Sequence, residues 1–175
     1  MIAIEETTAW LEKAVIGLNL YPLPSVHSQS QIRWVPSDAT EPMALLKLLV
    51  HELQHLAAAN AEAIDTILVV PPLVMQDFLH FNEFLGVSDD ALTELDLDGV
   101  LQIANFHSLF QFAGTDAGDI SNATNRSPHP TLHPLREDSV ERAVAAFAEA
   151  GDIFERNIAT MQRLMLEGRK RLLQR

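Results

Sequence analysis

Apolar residues at Trp10, Leu11, Ala14, Val15 and Leu18, with Thr7 beside them, recur at helical spacing and predict an amphipathic first helix from about Glu5 to Leu18. Asn19 to Pro24 ends it, because proline cannot continue the hydrogen-bond ladder. Gln31 to Val35 reads as a short strand with Ile32 and Trp34 on one face. The capping-rich run Ser37-Asp38-Ala39-Thr40 then introduces a strong helix from about Pro42 to Asn60. Asp65 to Val70 is a continuous β-branched run stopped by Pro71-Pro72, the pattern of a central strand covered on both faces. Leu73 to Leu85 predicts another helix, Ser88 to Leu95 a further helical turn or two, and Gly99 to Phe106 a third strand. After a long irregular stretch, Glu137 to Glu149 makes a helix with Glu137 and Asp138 at its positive end. Beyond Gly151-Asp152, Phe154, Ile158, Met161, Met165 and Leu172 mark the stripe of a final long helix.

Strands alternating with helices argue for an α/β (or α+β) fold. The sheet is small and mixed, of three to four strands, with about five to six helices packed on it. Three strands is few, so a fourth is expected inside the long stretch before Glu137. At 175 residues the chain fits a single domain, 1–175, able to bury a core without staples.

Charge narrows the partners. A net charge of −12 repels phosphate backbones, and the only basic cluster, Arg169, Lys170, Arg171 and Arg175, suits a helix C-terminus better than nucleic acid. The absence of cysteine excludes disulfides, thiol catalysis and Cys-based metal sites. The N-terminus lacks a basic region followed by an apolar core, and no apolar run is long enough to span a bilayer, so the expectation is a soluble, cytoplasmic protein without a membrane partner. No cofactor is implied, and nothing in the chain sets the oligomeric state.

One motif points to metal chemistry. His51-Glu52-Leu53-Gln54-His55 matches the pattern in which two histidines one helical turn apart hold zinc and the glutamate activates water. No third ligand follows, since the helix continues as Leu56-Ala57-Ala58-Ala59-Asn60. The apolar stripe of Leu46, Leu49, Val50, Leu53 and Leu56 places His51 and His55 on the opposite, solvent-facing side. A zinc-dependent hydrolase is therefore only the second alternative reading.

The stretch from His107 to Glu137 is long for a connection inside a domain, and such loops are usually functional or disordered. Phe110, Phe112, Ile120, Leu132 and Leu135 are apolar anchors that argue for order. Among them stand Asn122, Asn125, Arg126, Ser127, His133 and Arg136. Two arginines in an acidic chain suit a planar grip on a carboxylate or phosphate. His107 follows a strand end, where α/β sheets commonly place their sites, and it or His133 suits acid–base work. Each has a structural reading too: the arginines neutralise nearby carboxylates, the asparagines cap turns, and His133 is a hydrogen-bonded core residue.

Several blocks carry a family resemblance: Trp10 to Leu20, Gly99 to Ala104, Gln111 to Thr115, Thr124 to Pro128, Pro130 to His133, Leu135 to Glu137, and Glu155 to Asn157. In order and in length they resemble the bacterial domain-of-unknown-function 1415 family across nearly the whole chain. The resemblance implies no activity. The family pattern commonly has cysteine where this chain has Tyr21, so a thiol mechanism at that position is excluded here.

The leading expectation is thus a small-molecule protein, enzymatic or not, that holds an anionic ligand with Asn125, Arg126, Ser127 and Arg136, and uses His107 or His133 as proton carrier. The alternative is a non-catalytic interaction or structural protein.

Overall fold

The computed structural model of the protein describes residues 2–16, 29–146 and 157–164. Its strands are β1 (Ile32–Pro36), β2 (Thr66–Val70), β3 (Leu101–Phe106) and β4 (Thr131–Arg136). The helices with full bounds are α1 (Ile2–Trp10), α2 (Pro42–Ala58), α3 (Phe78–Glu94) and α4 (Glu137–Ala146), and residues 157–164 are also helical. The result is the α/β fold, with one open mixed sheet in the order β1-β2-β4-β3.

β1 and β2 pair in parallel, and β4 runs antiparallel to both of its neighbours, β2 and β3. β1, β2 and β3 therefore all point the same way, and their carboxyl ends share one edge of the sheet. Helices α2 and α3 each return the chain from that edge, as the crossover between parallel strands requires. Both pack on one face, where Leu45, Leu49, Leu53, Phe81 and Phe84 meet Ile67, Val69, Leu101 and Leu132. On the other face Leu11 is buried against Leu68, with Trp10, Ile32 and Trp34 around them. All five residues of β2 are buried, in line with the two-sided covering that its β-branched run predicts.

The first helix begins earlier than its periodicity suggests, at Ile2, and passes into a π-helical stretch, Leu11–Ile16. The expected turns at 17–24 and the end of the Glu137–Glu149 helix beyond 146 lie outside the described residues. So do Phe154, Met165 and Leu172 of the last apolar stripe. A larger difference concerns Leu73–Leu85 and Ser88–Leu95. These form one helix, and it starts only at Phe78, because the Asp77 carboxylate accepts from the His80 backbone N–H and caps it there. Residues 73–77 make a turn instead, in which Met75 takes φ +66, the left-handed region.

The fourth strand does lie inside the long stretch, in its last third. β4 is central despite Pro134, a residue normally confined to edges. Pairing with β2 is recorded at Thr66↔Leu135 and Val69↔Leu132, so Pro134 falls between the paired positions and owes no N–H there. Its carbonyl instead accepts from the Thr66 hydroxyl at 2.7 Å.

Burial along α3 alternates within two residues: Phe81 is fully buried and Leu79 is 71% exposed. Truncating Phe81 to alanine should cost about 3–5 kcal/mol in urea denaturation, through lost transfer energy and an unfilled cavity. Leu79→Ala should change stability by less than about 0.5 kcal/mol. Equal effects would mean that α3 presents a different face to the sheet.

Candidate functional site at the carboxyl edge of the sheet

His107 directly follows β3, at the strand end where the sequence pattern places it, and is fully buried. Its Nδ1 accepts from the Leu109 backbone N–H at 3.0 Å, so Nε2 carries the proton and donates to the Met75 carbonyl at 3.0 Å. The ring packs against Phe81 and Phe78 at 5.2 and 5.3 Å between centroids. Burial pushes its pKa below the ordinary value, although the Met75 hydrogen bond and the Asp77 charge act the other way. Both nitrogens are thus committed to backbone, and the imidazole is held neutral.

His133 sits in β4, opposite Ala104. Its ring lies 5.9 Å from Phe106, which in turn meets Trp10 edge-on at 5.0 Å. That is the α1 face of the sheet, whereas His107 packs on the α3 face. Burial drives the His133 pKa down to about 3.

The two arginines also part company. Arg136 sends one guanidinium nitrogen to the carbonyls of Leu56, Ala59 (2.7 Å) and Ile64 (3.3 Å), which closes the C-terminal end of α2. Arg126 donates to the Phe110 carbonyl at 3.1 Å and to the Ala117 carbonyl at 2.7 Å, drawing the loop around itself. Among the described residues neither pairs with a carboxylate. Asn125 accepts the His107 backbone N–H through its own carbonyl at 3.1 Å and the Thr124 hydroxyl through its side chain at 3.1 Å. Ser127 is buried and donates to the His129 carbonyl. Buried Asn122 closes turns with Phe112, Thr115 and Asp116, the capping role expected of such residues. His107, His133, Arg126 and Arg136 therefore do not gather around one cavity. They hold the loop, a strand and a helix end in place.

In the His51–His55 motif both histidines are exposed. Glu52 points the other way: its side chain is 3% exposed and takes a bidentate grip from Arg33 of β1, at 2.8 and 3.3 Å. A glutamate spent on an arginine cannot activate a metal-bound water, and among the described residues no three His, Asp or Glu side chains are grouped to hold a metal. Arg33 signals this pairing only once β1 and α2 are known to be adjacent.

What does open to solvent at this edge is a cleft of about 550 Å³ between the first turns of α2 and α3. Pro42, Val74, Met75, Phe84 and Val87 supply apolar walls, and Gln76, Asp77, His80 and Glu83 supply polar ones. Its position matches the rule that open α/β sheets bind ligands beyond the carboxyl ends of their strands. The unusual Met75 conformation is part of the wall, and His107 holds it from behind through the Met75 carbonyl. Among the described residues no lysine or arginine lines the cleft, and the Asp77 carboxyl is held below the usual range chiefly by the His80 backbone N–H. The sequence offers no periodic signal for this site, since its residues come from a turn and two helix starts.

The profile of a family described as "protein of unknown function (DUF1415)" matches residues 2–171. No curated protein and no solved structure matches the chain.

Two outcomes follow from the buried polar groups. Both histidines have folded pKa values below 6.5, so the unfolded chain binds more protons, and stability is lost as pH falls below 6.5. From His133 alone the chain should be about 2 kcal/mol less stable at about pH 5 than at about pH 7.5 in urea titrations, at 1.36 kcal/mol per pKa unit. Flat stability over that range would show the ring to be solvated. Arg136→Met should cost about 2–3 kcal/mol by stranding buried carbonyls, and it should leave ligand binding at the cleft unchanged. Loss of binding in a stably folded Arg136→Met protein would restore a ligand role for this arginine.

Proposed function

We propose, for a chain that belongs to the DUF1415 family, that it binds a small molecule in the cleft at the carboxyl edge of its sheet, and that this ligand has an apolar body and a positively charged or donor-rich head. The observation that carries the reading is the cleft lining: five apolar side chains around an opening whose charged members are Asp77 and Glu83, with His80 between them. Clefts of a few hundred cubic ångströms with mostly apolar walls and a few convergent polar groups are the usual form of small-ligand sites.

The ligand charge runs opposite to the anion that Arg126 and Arg136 suggest in the sequence, since both guanidiniums are turned to backbone carbonyls. The imidazole at the site is a different one as well. His107 and His133 are enclosed, while His80, 3.9 Å from the Asp77 carboxylate and largely exposed, is the imidazole that meets the cleft. His107 supports the site from behind by fixing the turn through Met75. Binding alone accounts for this arrangement, and no reaction is assigned.

Thermal-shift and NMR titrations with matched pairs of small arylalkyl amines and arylalkyl carboxylates test the reading. The amines should bind saturably and the carboxylates should not. Asp77→Asn keeps the helix cap, because asparagine caps as well as aspartate, yet it should weaken amine binding about tenfold, the equivalent of ~1.4 kcal/mol. Amine affinity that is unchanged in Asp77→Asn, or absent throughout, defeats the proposal.

A further inference from the structure

The cleft has a neighbour along α3. The two share Val87, and the second hollow, of about 340 Å³, is lined by Leu46 and Val50 of α2, by Ala91 of α3 and by Leu95 just past its end. Val87, Ala91 and Leu95 are spaced four apart and form one ridge, as do Leu46 and Val50. Because α2 and α3 both return from parallel strands on one face of the sheet, the hollow lies lengthwise between two helices running alongside each other. Together the two hollows draw lining from His80 to Leu95 along α3, a helix of 17 residues or about 25 Å at 1.5 Å per residue. That shape exceeds a small molecule and matches a helix laid into a groove.

Charge identifies the kind of helix. Asp90 and Glu94 stand on the rim of this hollow, and among the described residues no lysine or arginine lines it. The last turn of α3 carries no basic residue either, so these carboxylates add to the negative carbonyl end of the helix instead of offsetting it. Crowding is evident next door, where burial first, and then the charges of Asp90 and Asp98, hold the Asp89 carboxyl above its ordinary range. Within the chain this arrangement is unfavourable, and a cationic partner relieves it. Val87, in the middle of the groove, remains 43% exposed.

We propose that the α2–α3 groove docks an amphipathic helix of a partner protein, with its apolar stripe on Val50, Val87, Ala91 and Leu95 and its basic residues on Asp90 and Glu94. The inference goes beyond ligand binding at the cleft and, apart from Val87, rests on different residues. A helix seated this far along also reaches Val87, the one side chain that both hollows share.

The probe is a labelled 17-residue peptide of leucine and lysine with leucines at helical spacing, compared with a permuted peptide of the same composition. Fluorescence anisotropy with the full chain at physiological salt should show the amphipathic peptide binding at least about tenfold more tightly than the permuted one, because bulk charge is equal in the two. Combining Asp90→Lys with Glu94→Lys, both at exposed positions, should cut that affinity at least about tenfold and at the same time raise the melting temperature, since it removes repulsion at the end of α3. Amine binding at the cleft should be unaffected by the double variant. Equal affinity of the two peptides, or no loss in the double variant, overturns the proposal. So does a dimer, seen by light scattering without peptide, whose interface covers Val87 and Ala91. Failure of the amines with success of the peptide would remove the small-molecule reading and leave this one standing.

Discussion

The backbone hydrogen bonds that hold Thr131–Arg136 between β2 and β3 are the constraint on which the other features of this fold depend. β3 and β4 are antiparallel neighbours paired from Phe106↔Thr131, so a tight hairpin could join them, yet the chain takes a long path at the carboxyl edge. The loop from His107 to Pro130 is that path, and its polar residues are consumed in making it. Arg126 gathers the loop, Asn122 closes its turns, and His107 ties its start to the turn before α3. Buried backbone groups demand partners, and a path of 24 residues, from His107 to Pro130, supplies many of them. A donor-rich composition is thus what an ordered loop of this length requires, whatever the protein binds.

This explains how much could be read from the residues alone. The β-branched run at Thr66–Val70, the proline in the first turn of α2 and the acidic start at Glu137 are legible because each depends on local chemistry, whereas the capping expected from Ser37 to Thr40 is not made: the N-cap is Glu41, without a side-chain cap. β4 was foreseen as a missing strand without a position, since Thr131–Arg136 contains a proline that argues against a central strand, and only the skipped pairing at Pro134 admits it. The apolar pattern starts α3 five residues early, because Leu73, Val74 and Met75 continue it while their backbone turns. Asn125, Arg126, Ser127, His133 and Arg136 have the composition of a ligand site, and composition does not distinguish donors aimed at a ligand from donors aimed at carbonyls. The cleft itself was invisible, because its lining is dispersed over a turn and two helices.

The histidines show the same divide between residue type and environment. A ring suited to proton transfer in water becomes, when enclosed, a neutral spacer with directional bonds. His107 is used for its two nitrogens as a fixed donor and a fixed acceptor, and His133 is enclosed by aromatic neighbours on the far face. In the same way Glu52 is diverted from the zinc-like pattern by Arg33. Exposure and partner, rather than motif, decide which of these groups keeps its chemistry.

The contacts of Arg136 with Leu56, Ala59 and Ile64 span 72 to 80 residues of chain, and this separation has a consequence for the order of assembly. Contacts so distant in sequence carry a large loop-closure cost and form after local ones. The β1–α2–β2 unit and α3 are continuous in the chain, from Ile32 to Glu94, and can associate while the residues that make β4 are still being synthesised. Until β4 arrives, the β2 edge is open and the end of α2 lacks its guanidinium cap. In that interval β2, with five buried apolar or β-branched residues, is the segment most exposed to pairing with another chain. Closure by Arg136 and its strand is therefore as much a safeguard during folding as a contribution to the finished structure.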